Sequence, residues 1–116
     1  MTLAAILFGI AALGGVIMAI LRFSGKELPP MGLAILHGAV AAAGLVALIV
    51  AVASGGASSK AIIALVLFLG AAIGGFVLFS YHLRRKALPI PYVAIHGLVA
   101  VVAFVILLLA IFAVRA

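Results

Sequence analysis

The sequence predicts an all-α integral membrane protein, in which four transmembrane helices form an up-down bundle built from a duplicated two-helix hairpin. Three observations lead to this prediction. Of the 116 residues, 71% are hydrophobic and only 7% are charged, with a mean hydropathy of +1.67, whereas a soluble domain is closer to half apolar. The apolar residues fall into four long runs. A short motif containing a histidine also occurs twice.

The four apolar runs have the length of membrane-spanning helices. Each contains about 20 residues, which span about 30 Å as a helix and match the hydrocarbon core of a bilayer. Membrane β-strands would need only about 10 residues with alternating polarity, and no such alternation is present. The runs cover residues 3–23, 31–53, 61–81 and 91–114.

Short polar segments rich in glycine or proline separate the runs. Residues 24–30 contain Gly and two prolines, residues 54–59 read Ser-Gly-Gly-Ala-Ser-Ser, and residues 84–90 combine basic residues with proline. Ser58 or Ser59 is suited to cap the third helix, because serine oxygens accept hydrogen bonds from free helical N–H groups. Loops this short place successive helices side by side and antiparallel.

The two halves of the chain repeat each other. The pentapeptide AALGG at 11–15 returns as AAIGG at 71–75, at an offset of 60 residues, and the two His-Gly pairs are 59 residues apart. The sequence therefore predicts a single membrane domain, 1–116, with repeat 1 at about 1–56 and repeat 2 at about 57–116. With two helices in each unit, the copies form a parallel repeat about an axis near the membrane normal.

Basic residues indicate how the chain is oriented in the membrane. The chain has seven basic residues and one acidic residue, Glu27. The position of the basic residues in loops is better explained by membrane orientation than by nucleic-acid binding. The positive-inside rule predicts that the termini lie outside and that the first and third loops are cytoplasmic, in a bacterial inner membrane. The basic residues are Arg22, Lys26, Arg84, Arg85 and Lys86 beside those two loops, and Lys60 and Arg115 at the opposite side.

Two histidines are the candidate ligands. His37 and His96 each lie roughly two turns inside an apolar helix, where an imidazole is costly without a partner. The second and fourth helices are diagonal in a square bundle, about 11–14 Å apart. Two imidazoles reaching inward leave about 4 Å between their nitrogens, which one metal with bonds near 2 Å would fill. We predict that His37 and His96 are metal ligands, as the two axial ligands of a haem iron.

Small residues surround the predicted metal position. Gly14, Gly74, Ala41 and Ala100 lie on the inward faces of the four helices and would leave room for the flat haem macrocycle. The structural alternative for these residues is helix packing, since small residues let membrane helices approach closely. The absence of cysteine excludes thiolate metal sites and covalent haem attachment.

The haem propionates would reach the basic end of the bundle. Arg22, Arg84 and Arg85 are the candidate partners for these carboxylates, although orientation in the membrane also accounts for them. His82, near the end of the third helix, is expected close to water. Tyr81 and Tyr92 are expected to be interface anchors.

The predicted site resembles the bis-histidine helical bundles of membrane cytochromes b. The resemblance covers one histidine on each of two helices, with nearby glycines. It implies a small b-type cytochrome with one haem b near the cytoplasmic face. Electron transfer with a quinone or a redox protein, haem carriage or redox sensing are its candidate tasks, and an electron-transfer or haem-binding protein is favoured over an enzyme.

Other functions stay open at this stage. In size and helix count the chain resembles small multidrug exporters, but no acidic residue lies within a predicted span. A third candidate is a non-catalytic assembly subunit of a membrane complex, and a homo-oligomer also stays open. The structural alternative for the two histidines is a hydrogen bond to a backbone carbonyl, a water or each other. A two-histidine zinc or copper site would lack thiolates or carboxylates to complete it.

Overall fold

The computed structural model describes residues 1–113 and is all-helical across them. Its helices are α1 (Thr2–Phe23), α2 (Met31–Ala53), α3 (Ser59–Leu83) and α4 (Ile90–Phe112). All four are long and apolar enough to cross a membrane, which confirms the predicted helix number and the integral membrane class. The predicted end of the fourth run at Val114, and Arg115 of the charge count, lie outside the described residues.

Local sequence signals account for the helix ends. The Ser58 side chain accepts a hydrogen bond from the Ala61 N–H at 3.2 Å, as expected for a serine cap. Pro30 and Pro89 are the N-cap residues of α2 and α4. Just beyond α1 and α3, Gly25 and Arg85 have positive φ angles of 109° and 55°.

Most residues of the buried core correspond between the two halves. At its centre the rings of Phe8 and Phe68 stack face to face, with centroids 3.7 Å apart and planes 2° from parallel. Leu48 and Leu107 are fully buried beside them. The corresponding buried pairs are Ala4 and Ala64, Phe8 and Phe68, Ala11 and Ala71, Gly44 and Ala103, and Leu48 and Leu107.

Helix packing is most extensive between α1 and α2 and between α3 and α4. The α1–α4 and α2–α3 pairs are also in contact, whereas the backbones of the other two pairs stay apart over residues 1–113. Large apolar side chains cover the outside, such as Phe76 at 75% exposure and Leu13 at 68%. The molecule measures 44 × 21 × 19 Å, which is close to the thickness of a bilayer with its headgroups, about 40–45 Å.

The two basic loops meet at one end of the molecule. The Leu88 N–H donates to the Glu27 carbonyl at 3.1 Å. The Arg22 Nε–H donates to the Leu88 carbonyl at 2.8 Å. These two bonds connect the loop after α1, the end of α1 and the loop before α4, so both basic segments belong to the same end of the bundle.

Candidate functional site

The two predicted ligand histidines make the same hydrogen bond in each half of the chain. His37 Nδ1 lies 2.7 Å from the carbonyl oxygen of Ala11, and His96 Nδ1 lies 2.8 Å from that of Ala71. A carbonyl oxygen only accepts, so both Nδ1 atoms must carry the proton. In a neutral imidazole the Nε2 atom is then left with a free lone pair.

The structure brings the two imidazoles together across the bundle. Their ring centroids are 6.3 Å apart and their planes are 80° from parallel. In a bis-imidazole complex the metal–nitrogen bonds are about 2 Å long and each ring centre lies about 1 Å beyond its nitrogen, so the centres are about 6 Å apart. The separation of His37 and His96 therefore has the span of two imidazoles that share one metal.

Pairs of adjacent glycines allow the helices to approach the imidazoles. A Cβ atom at Gly15 would lie 3.1 Å from His37 Cε1, and one at Gly75 would lie 3.3 Å from His96 Cε1. Gly14 and Gly74, the predicted pocket glycines, would place a Cβ in ordinary contact at 3.7 and 3.5 Å. Gly15 and Gly75 were not predicted, although the Gly-Gly doublet recurs in both halves.

The predicted pocket alanines are half-buried in the structure. Ala41 and Ala100 lie one turn deeper than His37 and His96 on the same helices. A further turn along α2, Gly44 sits against Phe8, and a Cβ there would be only 3.2 Å from the Phe8 ring. Ala41 and Ala100 thus lie between the histidines and the aromatic stack, and their role as pocket residues stays a prediction.

The three candidate propionate arginines occupy different surroundings. Arg22 is half-buried and bonded to the Leu88 carbonyl. The Arg84 guanidinium donates to the Ser80 carbonyl and hydroxyl at 3.2 and 3.3 Å, and it lies 4.6 Å from the Tyr81 ring centre. Arg85 is exposed. Arg22 is therefore the one of the three that reaches from one repeat to the other.

His82 is more buried than its sequence position predicted. It was predicted close to water, but it is only 6% exposed. Its Nε2 is buried and has no hydrogen-bond partner within residues 1–113. The nearest aromatic neighbour is Phe79, with ring centroids 6.3 Å apart. A buried nitrogen of this kind is costly unless something pairs with it.

The donor set limits which metals the site suits. Within the described part of the chain, no three His, Cys, Asp or Glu side chains are grouped to hold a metal ion. Two imidazoles fit a metal that brings its remaining ligands with it, as haem iron does. A surface cavity of about 410 Å³ contains none of the predicted site residues and is lined by Thr2, Ala5, Ile6, Leu108, Ile111 and Phe112.

Comparisons of the chain with protein-family models, with curated proteins and with solved structures gave no match.

Proposed function

We propose that this protein is a small membrane b-type cytochrome that binds one haem b through His37 and His96. A single observation carries the proposal. Each imidazole donates its Nδ1–H to a backbone carbonyl of the preceding helix and keeps Nε2 free, and the ring centres are 6.3 Å apart. Two imidazoles at that separation, each with an unprotonated Nε2, are the protein's part of a bis-histidine haem site.

In this proposal the carbonyls of Ala11 and Ala71 accept the Nδ1–H of each ligand histidine and hold its ring in place. Histidine ligands in metal proteins commonly donate the other ring N–H to a carbonyl or carboxylate, which fixes the ring orientation and raises the basicity of the ligating nitrogen. Both Nδ1–H bonds, at 2.7 and 2.8 Å, have this form. When bound, haem iron would supply one-electron exchange, and the chain would supply the two ligands and their orientation.

The proposal includes the predicted architecture, an up-down bundle of two repeated hairpins. Contacts between α1 and α2 support antiparallel packing, because Gly14 lies against His37 while Gly44 lies against Phe8. The paired burial of Phe8 with Phe68 and of Leu48 with Leu107 supports an axis that relates the halves. On this axis, each repeat contributes one ligand, one glycine doublet and one carbonyl to the same site.

Electron exchange near the basic end is the proposed task, with a quinone or a redox protein as partner. His37 lies seven residues beyond Pro30, which is about 10 Å along the helix. A single haem at this depth does not cross a hydrocarbon core of about 30 Å. The protein would thus exchange electrons, or sense redox state, at the cytoplasmic face rather than conduct electrons through the membrane.

Absorption spectroscopy of the purified protein tests this function. We expect a Soret band that sharpens on reduction and a low-spin spectrum with haem added. His37→Gly and His96→Gly should each lose the low-spin spectrum, and added imidazole should restore it by occupying the vacated ligand position. Gly38→Ala and Gly97→Ala are matched controls, because nothing lies within 4 Å of a Cβ at either position.

The same hydrogen bonds also favour a second candidate, a non-catalytic assembly subunit. In that case the His37–Ala11 and His96–Ala71 bonds would serve only to hold each hairpin together. The histidine variants would then lower the stability of a colourless protein, and added haem would not bind to the wild type. That result would overturn the cytochrome proposal.

A further inference from the structure

Two polar residues at corresponding positions of the two halves, Arg22 and His82, are called the polar pair and lie toward the basic end of the bundle. Arg22 follows Gly15 by seven residues on α1, and His82 follows Gly75 by seven residues on α3. Seven residues are nearly two helical turns, so each polar residue lies on the same helix face as its glycine, about 10 Å along the axis. Because Gly15 and Gly75 contact the two imidazoles, Arg22 and His82 continue the interior of the bundle beyond them.

The aromatic stack occupies the opposite side of the histidines. Phe8 and Phe68 precede Gly15 and Gly75 by the same seven residues, and their rings fill the interior at a centroid separation of 3.7 Å. The interior is therefore apolar on one side of the imidazoles and polar on the other. A ligand with a charged edge has one orientation in such a site, with that edge toward Arg22 and His82.

The two members of the polar pair differ in how they are satisfied. Arg22 donates its Nε–H to the Leu88 carbonyl and retains the N–H donors of its two terminal nitrogens. His82 occupies the corresponding repeat position, is 6% exposed, and has a buried Nε2 without a partner in residues 1–113. An unpaired buried nitrogen in an interior position indicates a partner that the chain itself does not supply.

We infer that Arg22 and His82 form a carboxylate site, and that His82 Nε2–H and the terminal nitrogens of Arg22 hold the propionates of the same haem that His37 and His96 bind. This inference rests on the proposed function. The carboxylates of haem b hang from one edge of its macrocycle, so they extend from the metal toward one end of the bundle. A guanidinium and an imidazole are suited to carboxylates because they form charge-assisted hydrogen bonds. Arg84 and Arg85 are less suited, since one is engaged on its own helix turn and the other is exposed.

Comparing haem b with its dimethyl ester tests the inference, because the ester keeps the iron and the macrocycle but removes both charges. We expect wild-type protein to bind haem b at least tenfold more tightly than the ester. His82→Leu should lose about tenfold of its affinity for haem b and little of its affinity for the ester. His82→Gln should recover most of the loss, because the glutamine amide offers a donor near the Nε2 position. Both variants should keep the low-spin spectrum.

Leu88→Ala is the matched packing control, because Leu88 is 7% exposed at the same end and has no polar side-chain atom. It should weaken haem b and the ester equally. Equal weakening of the two ligands by His82→Leu, with the low-spin spectrum retained, would overturn the carboxylate site and leave the cytochrome proposal intact. The affinity lost in His82→Leu could instead depend on the anionic lipid content and not on whether the haem is esterified. That result would overturn the carboxylate site for haem and assign it to a lipid headgroup. Failure of wild type to bind either ligand would overturn the proposed function, and this inference with it.

Discussion

In each of the two central histidines, the two ring nitrogens have different surroundings. Nδ1 satisfies a backbone carbonyl that is already part of a helix, and Nε2 is left without a hydrogen bond in residues 1–113. Near the centre of a membrane bundle the bond to the carbonyl alone would justify one imidazole. That bond does not require two such rings to lie 6.3 Å apart, and we propose that a shared metal accounts for this separation.

At the residue scale, Gly15 is predicted to be hard to replace because of its close contact with an imidazole. A Cβ there would lie 3.1 Å from His37 Cε1, and the ring cannot simply move away without lengthening its bond to Ala11. We expect Gly15→Ala to cost about 1–2 kcal/mol in unfolding free energy relative to a Gly→Ala change in open space, and to weaken haem binding. Denaturant titration in detergent and haem titration measure the two effects.

The controls for this prediction lie in the same helices. Gly14→Ala places its Cβ at an ordinary 3.7 Å from His37 Cβ, and Gly38→Ala meets nothing within 4 Å. Both should be tolerated, and Gly38→Ala should gain from the better helix propensity of alanine. If Gly15→Ala behaves like Gly38→Ala in both titrations, the close approach of α1 to the imidazole is not what the site requires.

Depth within an apolar helix and recurrence in both halves were sufficient to select His37 and His96 as candidate ligands, and their role as ligands stays a prediction. Only part of their surroundings was predictable. Helical periodicity selects a face, and it therefore pointed to Gly14 without revealing that Gly15 makes the closer approach. The burial of His82 was not predicted, because a position near a helix end does not specify what packs around the side chain.

At the scale of the helix, α1 and α3 end in the same way with different residues. Gly25 adopts φ 109° after α1, and Arg85 adopts φ 55° at the corresponding position after α3. Two backbone hydrogen bonds close each helix end. One is donated by the N–H of the residue with positive φ and the other by the N–H of the residue after it. Glycine adopts this conformation without strain, whereas the side chain of Arg85 makes it costly.

We therefore expect Arg85→Gly to stabilise the protein by about 1 kcal/mol. Arg84→Gly is the control, because Arg84 has a φ of −85° and gains nothing from glycine. Thermal denaturation in detergent measures the difference between the two variants. Arg85→Gly also tests the predicted propionate role of Arg85, since a loss of haem affinity would support that role and unchanged affinity would contradict it.

Helix positions were predictable because the apolar runs, and the Gly, Pro and Ser residues that end them, are local features of the sequence. The predicted second run, 31–53, has the same bounds as α2, and the serine expected to cap α3 does so at Ser58. The bonds between loops were not predictable, because Arg22 and Leu88 are 66 residues apart. Pairing across that distance depends on how the two hairpins dock, which the loop sequences alone do not specify.

At the scale of the whole molecule, the Phe8–Phe68 stack is expected to hold the two halves together. It joins α1 and α3, whose backbones stay apart over residues 1–113. In lipid, van der Waals packing takes the place of the hydrophobic effect between helices. Phe8→Ala should then lower the unfolding free energy by about 2 kcal/mol through the cavity that it leaves.

Phe76→Ala provides the comparison for that prediction, because the Phe76 side chain is 75% exposed on the outer surface. It removes the same side chain without opening the core, and it should leave stability nearly unchanged. Denaturation of the two variants in the same detergent measures the difference. Equal stability of Phe8→Ala and Phe76→Ala would show that the stack contributes nothing to the association of the two halves.

The central claim is that one imidazole from each half of the molecule binds the same iron. Electron paramagnetic resonance of the oxidised, haem-loaded protein tests it most directly, because the signal reports both axial ligands and the angle between their planes. With planes 80° from parallel, we predict a low-spin ferric signal of the strongly anisotropic kind that near-perpendicular imidazoles give. A high-spin signal, or a low-spin signal that survives unchanged in His37→Gly or His96→Gly, would contradict the claim.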